Sequence, residues 1–304
     1  MKIAAIDIGS NAVRLIISRI LADGKMKRIE FIRVPLRLGD DVFHSKVLSV
    51  EKENLLRKTI LSFKLLMEVH HVEDYRACGT SALRDALNAK EVLDRIERET
   101  ELHIEIISGM EESRIILDSV MRFFPDQGNF LNIDVGGGST EMTVIHDHLP
   151  VLSASFNVGT VRQLYRSVTQ HDMNEMLLWV KEHASTLKSL IAVGTGGNIN
   201  KVFKVLGLED KSSLSYEKLK AFYNQIREMT LKDRIMKMNL NPDRADVIVP
   251  AVKIHLAIMK QAGIRKIFAP NAGLKDGLIE ELAVRHMKEV MIETLPEDIN
   301  LPDF

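Results

Sequence analysis

Two ten-residue stretches of this chain carry side chains that could handle phosphate: AIDIGSNAVR at 5–14 and NIDVGGGSTE at 132–141. Each runs from an apolar segment to an Asp, then a Gly two residues on, a polar turn and a second apolar segment. A strand–turn–strand hairpin of this kind exposes successive backbone N–H groups in a concavity that suits phosphate oxygens. The three glycines Gly136, Gly137 and Gly138 allow close backbone approach, which side chains would block. Asp7 and Asp134 stand at the strand ends, where a carboxylate can hold Mg²⁺ or its waters. A plain Gly-rich hairpin without a ligand is the bland alternative, and the pairing of two copies is what counts against it. Neither turn fits the P-loop pattern, which needs Gly-Lys-Ser/Thr opening a helix.

Three other stretches are open to two readings each. GTSALRDALN at 79–88 offers Arg84 in a polar loop, suited to bidentate contact with phosphate or to simple surface exposure. ISGMEESR at 107–114 puts Glu111 and Glu112 in the first turn of a helix. There acids favour the helix dipole, so capping alone accounts for both. GTGGN at 194–198, between a strand and a helix, could take a phosphate or an adenosine edge, or be a tight turn. The histidines show no zinc spacing.

The elements that must position these residues follow from periodicity. Residues 2–8, 12–20 and 25–34 read as three strands of an antiparallel meander with a turn at Asp23-Gly24. Residues 51–70 place Leu55, Leu56, Ile60, Phe63, Leu66 and Met67 at helical spacing. A strand at 75–78, a loop, a helix at 88–100, a strand at 103–107 and a helix from 110 complete the first half. The pattern then restarts. Strands are expected at 129–134, 140–146, 150–156 and 189–194, with helices at 159–166 and 172–187 and another after the GTGGN turn. A long helical run at 242–262 opens on Asn-Pro-Asp. A strand at 265–268 and a helix at 275–290 follow, and the acidic, Pro-punctuated tail TLPEDINLPDF is expected to lie loosely on the surface. Asp7 and Asp134 are 127 residues apart (134 − 7), about one domain, so two similar domains facing each other would bring both turns to one cleft.

Composition sets the outer limits. The 304 residues suffice for two domains of ordinary size. The 45 % hydrophobic and 27 % charged residues are a normal soluble mixture, and no apolar run is long enough for a membrane span. The start, MKIAAIDIGS, meets an acid and glycine too early for a secretory signal, so a cytoplasmic protein without membrane partners is expected. Cys78 is the sole cysteine, which excludes intrachain disulfides and leaves a core thiol as the reading. A net charge of −1 argues against broad nucleic-acid binding, while leaving room for a local basic channel.

The ordered set of motifs resembles the exopolyphosphatase / guanosine pentaphosphate phosphohydrolase (Ppx/GppA) family in its short, two-domain form. The likeness runs through AIDIGSNAVRLII (5–17), LRLGDDV (36–42), SALRDALN (81–88), IISGMEESR (106–114), IDVGGGSTE (133–141), GTGGN (194–198), NPDRADVIVPA (241–251) and GLKDGLIEE (273–281). It implies an α/β protein of two actin-like (ribonuclease H-like) ATPase-fold domains around a central cleft. Their expected spans are 1–124 and 125–304, with the last helix packing back on the first domain. It also implies Mg²⁺-dependent release of terminal phosphate from polyphosphate or pppGpp, by a homodimer.

Carried over by motif, Glu112 is the carboxylate that activates water, which overrides the capping account. Glu141 is a second essential acid near metal and water, and Asp7 and Asp134 are metal-side carboxylates. Ser10, Asn11, Gly136, Gly137, Gly138 and Ser139 cradle phosphate, with Arg84 pairing to it. The chain departs from the common family pattern at Ala12, Asp41, Ser113 and Lys275, where Ser, Gly, Ala and Arg are usual. Exopolyphosphatase is the leading expectation, with pppGpp phosphohydrolase beside it. A binding regulator of the same fold and an ATP-dependent kinase stand further back. Retention of both Glu112 and Glu141 counts against the regulator, and the absence of an evident sugar-kinase Asp motif counts against the kinase.

Overall fold

A computed structural model describes residues 1–208 and 212–293. The tail from 294 onward, expected on the surface, lies outside the described residues. The first half begins with strands β1 (Lys2–Ile8), β2 (Val13–Ile20) and β3 (Met26–Val34). Helices α1 (Leu38–Ser45) and α2 (Val50–Val69) lead to β4 (Asp74–Gly79). Then come α3 (Ser81–Asp85), α4 (Ala89–Thr100), β5 (Glu105–Ile106) and α5 (Gly109–Met121). The second half opens with β6 (Asn129–Val135), β7 (Thr140–His146) and β8 (Leu149–Phe156). Helices α6 (Thr160–Leu164) and α7 (Gln170–His183), β9 (Ile191–Thr195) and α8 (Gly197–Val205) follow. After β10 (Ser213–Ser215) come helices α9 (Tyr216–Glu228), α10 (Leu231–Met238), α11 (Pro242–Ala245) and α12 (Ile248–Gln261). β11 (Lys266–Phe268) and α13 (Leu274–Glu293) complete the described chain.

The two sheets share one plan. The first has the order β3-β2-β1-β4-β5, and the second contains β8-β7-β6-β9-β11 in the same arrangement with β10 added at one edge. In each, the first three strands are antiparallel and the fourth runs parallel to the first. The sequence repeat is therefore a structural repeat, and β1 and β6 are the equivalent central strands that deliver Asp7 and Asp134. Burial on both faces accounts for their largely apolar runs, interrupted in β6 by the buried Asn132.

Helix α5 joins the two halves. Its Ile115 and Ile116 pack with Ile3, Ala5 and α13 against the outer face of the first sheet. Its Leu117 and Val120 pack with Phe130, Ile145 and Val193 of the second. Helix α13 lies on α5, β1 and β2, so the last described helix packs on the first sheet.

Several local expectations need correction. The expected loop at 79–88 contains the short helix α3, and β5 is only two residues long. The run at 242–262 breaks into α11 and α12, with Asp246 and Val247 between them. Asp246 is held there by an ion pair to Arg37 of the first half. Leu55 lies on the exposed side of α2, and the buried stripe is Leu56, Thr59, Ile60, Phe63 and Met67. β10 has no counterpart among the expected strands. Three residues pairing at a sheet edge carry too little periodicity to be read.

The α13–α5 crossing is close enough to test. A Cβ at Gly277 would lie 2.1 Å from the Ile115 carbonyl oxygen, a backbone atom that cannot rotate away. Gly277→Val should cost about 3 kcal/mol, the upper end for overpacking, and any gain in helix propensity is smaller. Thermal or urea denaturation measures this, and an unchanged midpoint would refute the close packing.

Candidate active site

The hairpins β1–β2 and β6–β7 end in the two Gly-containing turns, and these turns touch. A Cβ on Gly137 would stand 3.0 Å from Ser10 Cβ and 3.3 Å from the Asn11 amide nitrogen. Ser10, Asn11 and Gly136 through Ser139 all line one cavity of about 630 Å³, together with Asp7, Asp134 and Glu112.

Hydrogen bonding sets the direction of the turn amides. The Gly136 carbonyl accepts from the Thr160 N–H at 3.0 Å, and the Gly137 carbonyl from the N–H groups of Val161 (2.8 Å) and Arg162 (3.1 Å). The Gly138 carbonyl accepts from Arg162 Nε at 2.7 Å. No peptide here is cis, and in a trans peptide the N–H points opposite to the preceding carbonyl. With three carbonyls turned toward α6, the N–H groups of Gly137, Gly138 and Ser139 face the other way. None of the three donates to another group among the described residues. On the first turn, the carbonyls of Ser10 and Asn11 accept from the N–H groups of Gly39 and Arg37. The glycines are needed for close approach: a Cβ on Gly138 would meet Ser81 Oγ at 2.3 Å and Phe43 Cζ at 2.4 Å.

Four carboxylates crowd this space. Asp134 and Glu141 are cross-strand partners on β6 and β7, and Glu112 comes from the first turn of α5, capped by Ser108. Glu141 is only 1 % exposed and does not line the cavity; it lies beside Asp134 on the neighbouring strand, accepting from Ser155 Oγ at 2.9 Å. Asp7 pairs with Arg14 at 2.5 Å, and Asp134 accepts from Thr195 Oγ1 at 2.7 Å. Arg84 links the halves: its guanidinium donates to Glu112 at 2.8 Å, to the Ile107 carbonyl at 3.0 Å and to Ser139 Oγ at 3.3 Å. The nearest oxygen of Glu141 is 4.0 Å from it.

Burial pushes the Glu112 carboxyl up to about 7. Arg84 opposes the rise, while Asp134 and Asp7 add to it. Burial and the charges of Glu112 and Asp134 hold Glu141 well above the usual carboxylate range. Asp134 is likewise raised by burial and Asp7, against the pull of Thr195 and Arg14. Two glutamates in such proximity resist joint ionisation.

The cluster was partly legible in the sequence. Asp7, Asp134, Glu112 and both turns line one cavity, while Arg84 and Glu141 adjoin Glu112 without lining it. Sequence reasoning missed the basic wall of the cavity, formed by Arg14, Arg33, Lys201, Lys204, Arg244 and Lys275. Arg244 donates to the Gly197 carbonyl, and Arg33 pairs with Asp243. The motifs around Arg244 and Lys275 were visible, but nothing in them points to a cleft far from their sequence neighbours. Buried Arg162 was missed as well.

Two equivalent sheets, each presenting a turn to a shared cleft, define a protein of the actin-like class. The chain belongs to the Ppx/GppA phosphatase family, whose pattern matches residues 16–286. It is 26% identical over 303 residues to exopolyphosphatase 1 of Mycobacterium tuberculosis, covering 92% of this chain and 87% of that protein. To the guanosine-5′-triphosphate,3′-diphosphate pyrophosphatase of Aeromonas hydrophila it is 28% identical over 293 residues, 91% of this chain and 58% of that one. In fold it matches the crystal structure of an exopolyphosphatase from Cytophaga hutchinsonii with a TM-score of 0.84 at 21% identity. That match covers 94% of this chain and 98% of the other. The expected actin-like fold therefore holds. No helix among the described residues is long and apolar enough to cross a membrane.

The raised Glu112 group makes stability depend on pH with a definite sign. Its folded pKa lies above the unfolded value of 4.5, so its contribution is complete below pH 4.5 and is lost as pH rises through about 7. Without divalent metal, Glu112→Gln should be more stable than wild type at pH 8, by on the order of 2–3 kcal/mol, and equal to it near pH 4. Melting temperatures at the two pH values check this. A Gln variant less stable at pH 8 would show that the Arg84 ion pair outweighs burial.

Proposed function

We propose that this protein is an exopolyphosphatase, hydrolysing the terminal phosphoanhydride of inorganic polyphosphate and releasing phosphate. The observation that carries this reading is the cavity into which the glycine turn aims the unpartnered N–H groups of Gly137, Gly138 and Ser139, with Glu112 on the same wall. Membership of the Ppx/GppA phosphatase family and the likeness to exopolyphosphatase 1 support it.

The terminal phosphate sits between the turns, its oxygens accepting from the N–H groups of Gly137, Gly138 and Ser139, with Ser10 and Asn11 on the opposite side. Glu112 takes a proton from a water in line with the terminal phosphorus. A P–O bond forms to that water, the bond to the bridging oxygen breaks, and the shortened chain leaves as a phosphate anion. A phosphoanhydride has a good leaving group, so positioning and charge neutralisation account for most of the acceleration. No covalent nucleophile is required. Arg84 steadies Glu112 while the base is ionised and ties it to Ser139 of the glycine turn.

Mg²⁺ fits the residues present. The donor set is all carboxylate oxygen, the hard ligand such an ion prefers, and burial leaves these acids short of compensating charge. Among the described residues no group of three acids is gathered as a ready metal site. Mg²⁺ keeps several waters and takes one or two carboxylates plus substrate phosphates. Asp7 and Asp134 would hold it, with Glu141 beside Asp134, and it would neutralise charge on the phosphoanhydride oxygens. A cytoplasmic homodimer belongs to the same reading and rests on the family likeness.

Hydrolysis of pppGpp is the second reading. It is favoured by the likeness to the Aeromonas protein and by apolar cavity walls at Phe31, Phe203 and Leu208 that would accept a base.

Phosphate release from short polyphosphate, long polyphosphate and pppGpp, each with Mg²⁺, separates these. Glu112→Gln should lose about 10²–10⁴-fold in turnover with substrate binding retained. Wild-type rates in that variant would remove Glu112 as the base. Release from pppGpp alone would replace the polyphosphate reading, and no release from any of the three would end both.

A further inference from the structure

We propose that Arg162 is a positioning residue that aims the N–H groups of the glycine turn at phosphate and does so only while the two halves are closed on each other. This rests on the proposed phosphate-cleaving role of the cleft. Arg162 touches no cavity surface, and its side chain is 5 % exposed, an unusual place for a guanidinium unless every edge is matched. Its Nε donates to the Gly138 carbonyl at 2.7 Å, Nη1 to Asp85 at 3.0 Å and Nη2 to Ser81 Oγ at 3.2 Å. The flat face lies 4.2 Å from the Phe43 ring centroid, which supplies a cation–π contact on an otherwise apolar side.

These contacts divide cleanly by origin. Gly138 belongs to the second half with Arg162 itself, whereas Ser81, Asp85 and Phe43 belong to the first. The Gly138 carbonyl and the Ser139 N–H are two ends of one rigid peptide plane, so fixing the carbonyl fixes where that N–H points. Asp85 is the immediate neighbour of Arg84, which holds Glu112 and Ser139 from the other side of α3. Helix α3 is thus gripped at Asp85 by the residue that orients the turn, and through its own Arg84 it holds the base. Opening the cleft would release Asp85 and Ser81 from Arg162, and the turn would lose the support that keeps its amides aligned. The packing leaves little slack: a Cβ on Gly159, which precedes α6, would come within 2.4 Å of the Gly137 carbonyl oxygen.

Lysine retains the charge opposite Asp85 but cannot bind Gly138, Asp85 and Ser81 at once from a planar fork. Arg162→Lys is therefore the informative variant, with Arg162→Met as the harsher one. The probe is inorganic phosphate, titrated by calorimetry with and without Mg²⁺, alongside steady-state hydrolysis of tripolyphosphate. For Arg162→Lys we expect phosphate affinity to fall about tenfold and KM to rise by the same factor, with kcat within about threefold of wild type. Amides that contact the phosphate equally before and during reaction change KM rather than kcat. Asp85→Asn should shift phosphate affinity in the same direction, by less.

A lower melting temperature with unchanged phosphate affinity would make Arg162 merely structural and overturn the proposal, as would a loss confined to kcat. A wild-type protein that does not bind phosphate would overturn it too. Wild-type binding of phosphate without hydrolysis of any polyphosphate would sink the functional reading alone and leave Arg162 to be judged by affinity.

Discussion

Like charges held almost dry in a small space are the constraint around which the rest of this molecule is arranged. Asp7, Asp134, Glu112 and Glu141 are brought within mutual influence, and burial pushes Glu112, Asp134 and Glu141 toward keeping their protons. Arg84 and Arg14 offset part of that charge without filling the cavity. The cleft remains electrostatically unsatisfied in a way that suits a hard cation and a phosphate chain arriving together.

The need to hold that cluster explains otherwise unrelated features. α5 must present Glu112 to a turn of the second sheet while packing on the first, so it carries apolar residues on two faces and crosses α13 at a glycine. Polar ties beneath it add to the grip: Ser113 Oγ and Thr143 Oγ1 lie 3.0 Å apart, and Thr143 reaches Ser153 at 2.9 Å. Ser113 therefore adds a buried hydroxyl contact between α5 and β7. A second set of ion pairs, Arg33 to Asp243 and Arg37 to Asp246, ties the two halves together.

Local chemistry and remote packing contributed differently to what could be read in advance. The hairpins announced themselves because an Asp, a glycine-bearing turn and flanking apolar runs are all encoded within about ten residues. Their pairing was legible because the pattern recurs 127 residues later. By pattern alone, Glu112 was indistinguishable from a helix-capping acid, as Glu111 beside it shows. The two differ only in which side of α5 faces the second sheet. Glu111 pairs with Arg76 on the outside at 2.9 Å, while Glu112 meets Arg84 in the cleft.

The sequence by itself determined the repeated strand–turn–strand hairpins and the residues that end each central strand, because strand period and turn chemistry are local properties. Tertiary structure alone decided that Glu141 adjoins Glu112 without lining the cavity and that Arg84 is engaged by Glu112 and Ser139. It also decided that Arg162, from a short helix with no motif of its own, grips the glycine turn. Those outcomes depend on the relative placement of two halves whose contacts join residues 55, 77 or 210 positions apart. No window along the chain records which distant carbonyl or carboxylate a guanidinium will reach.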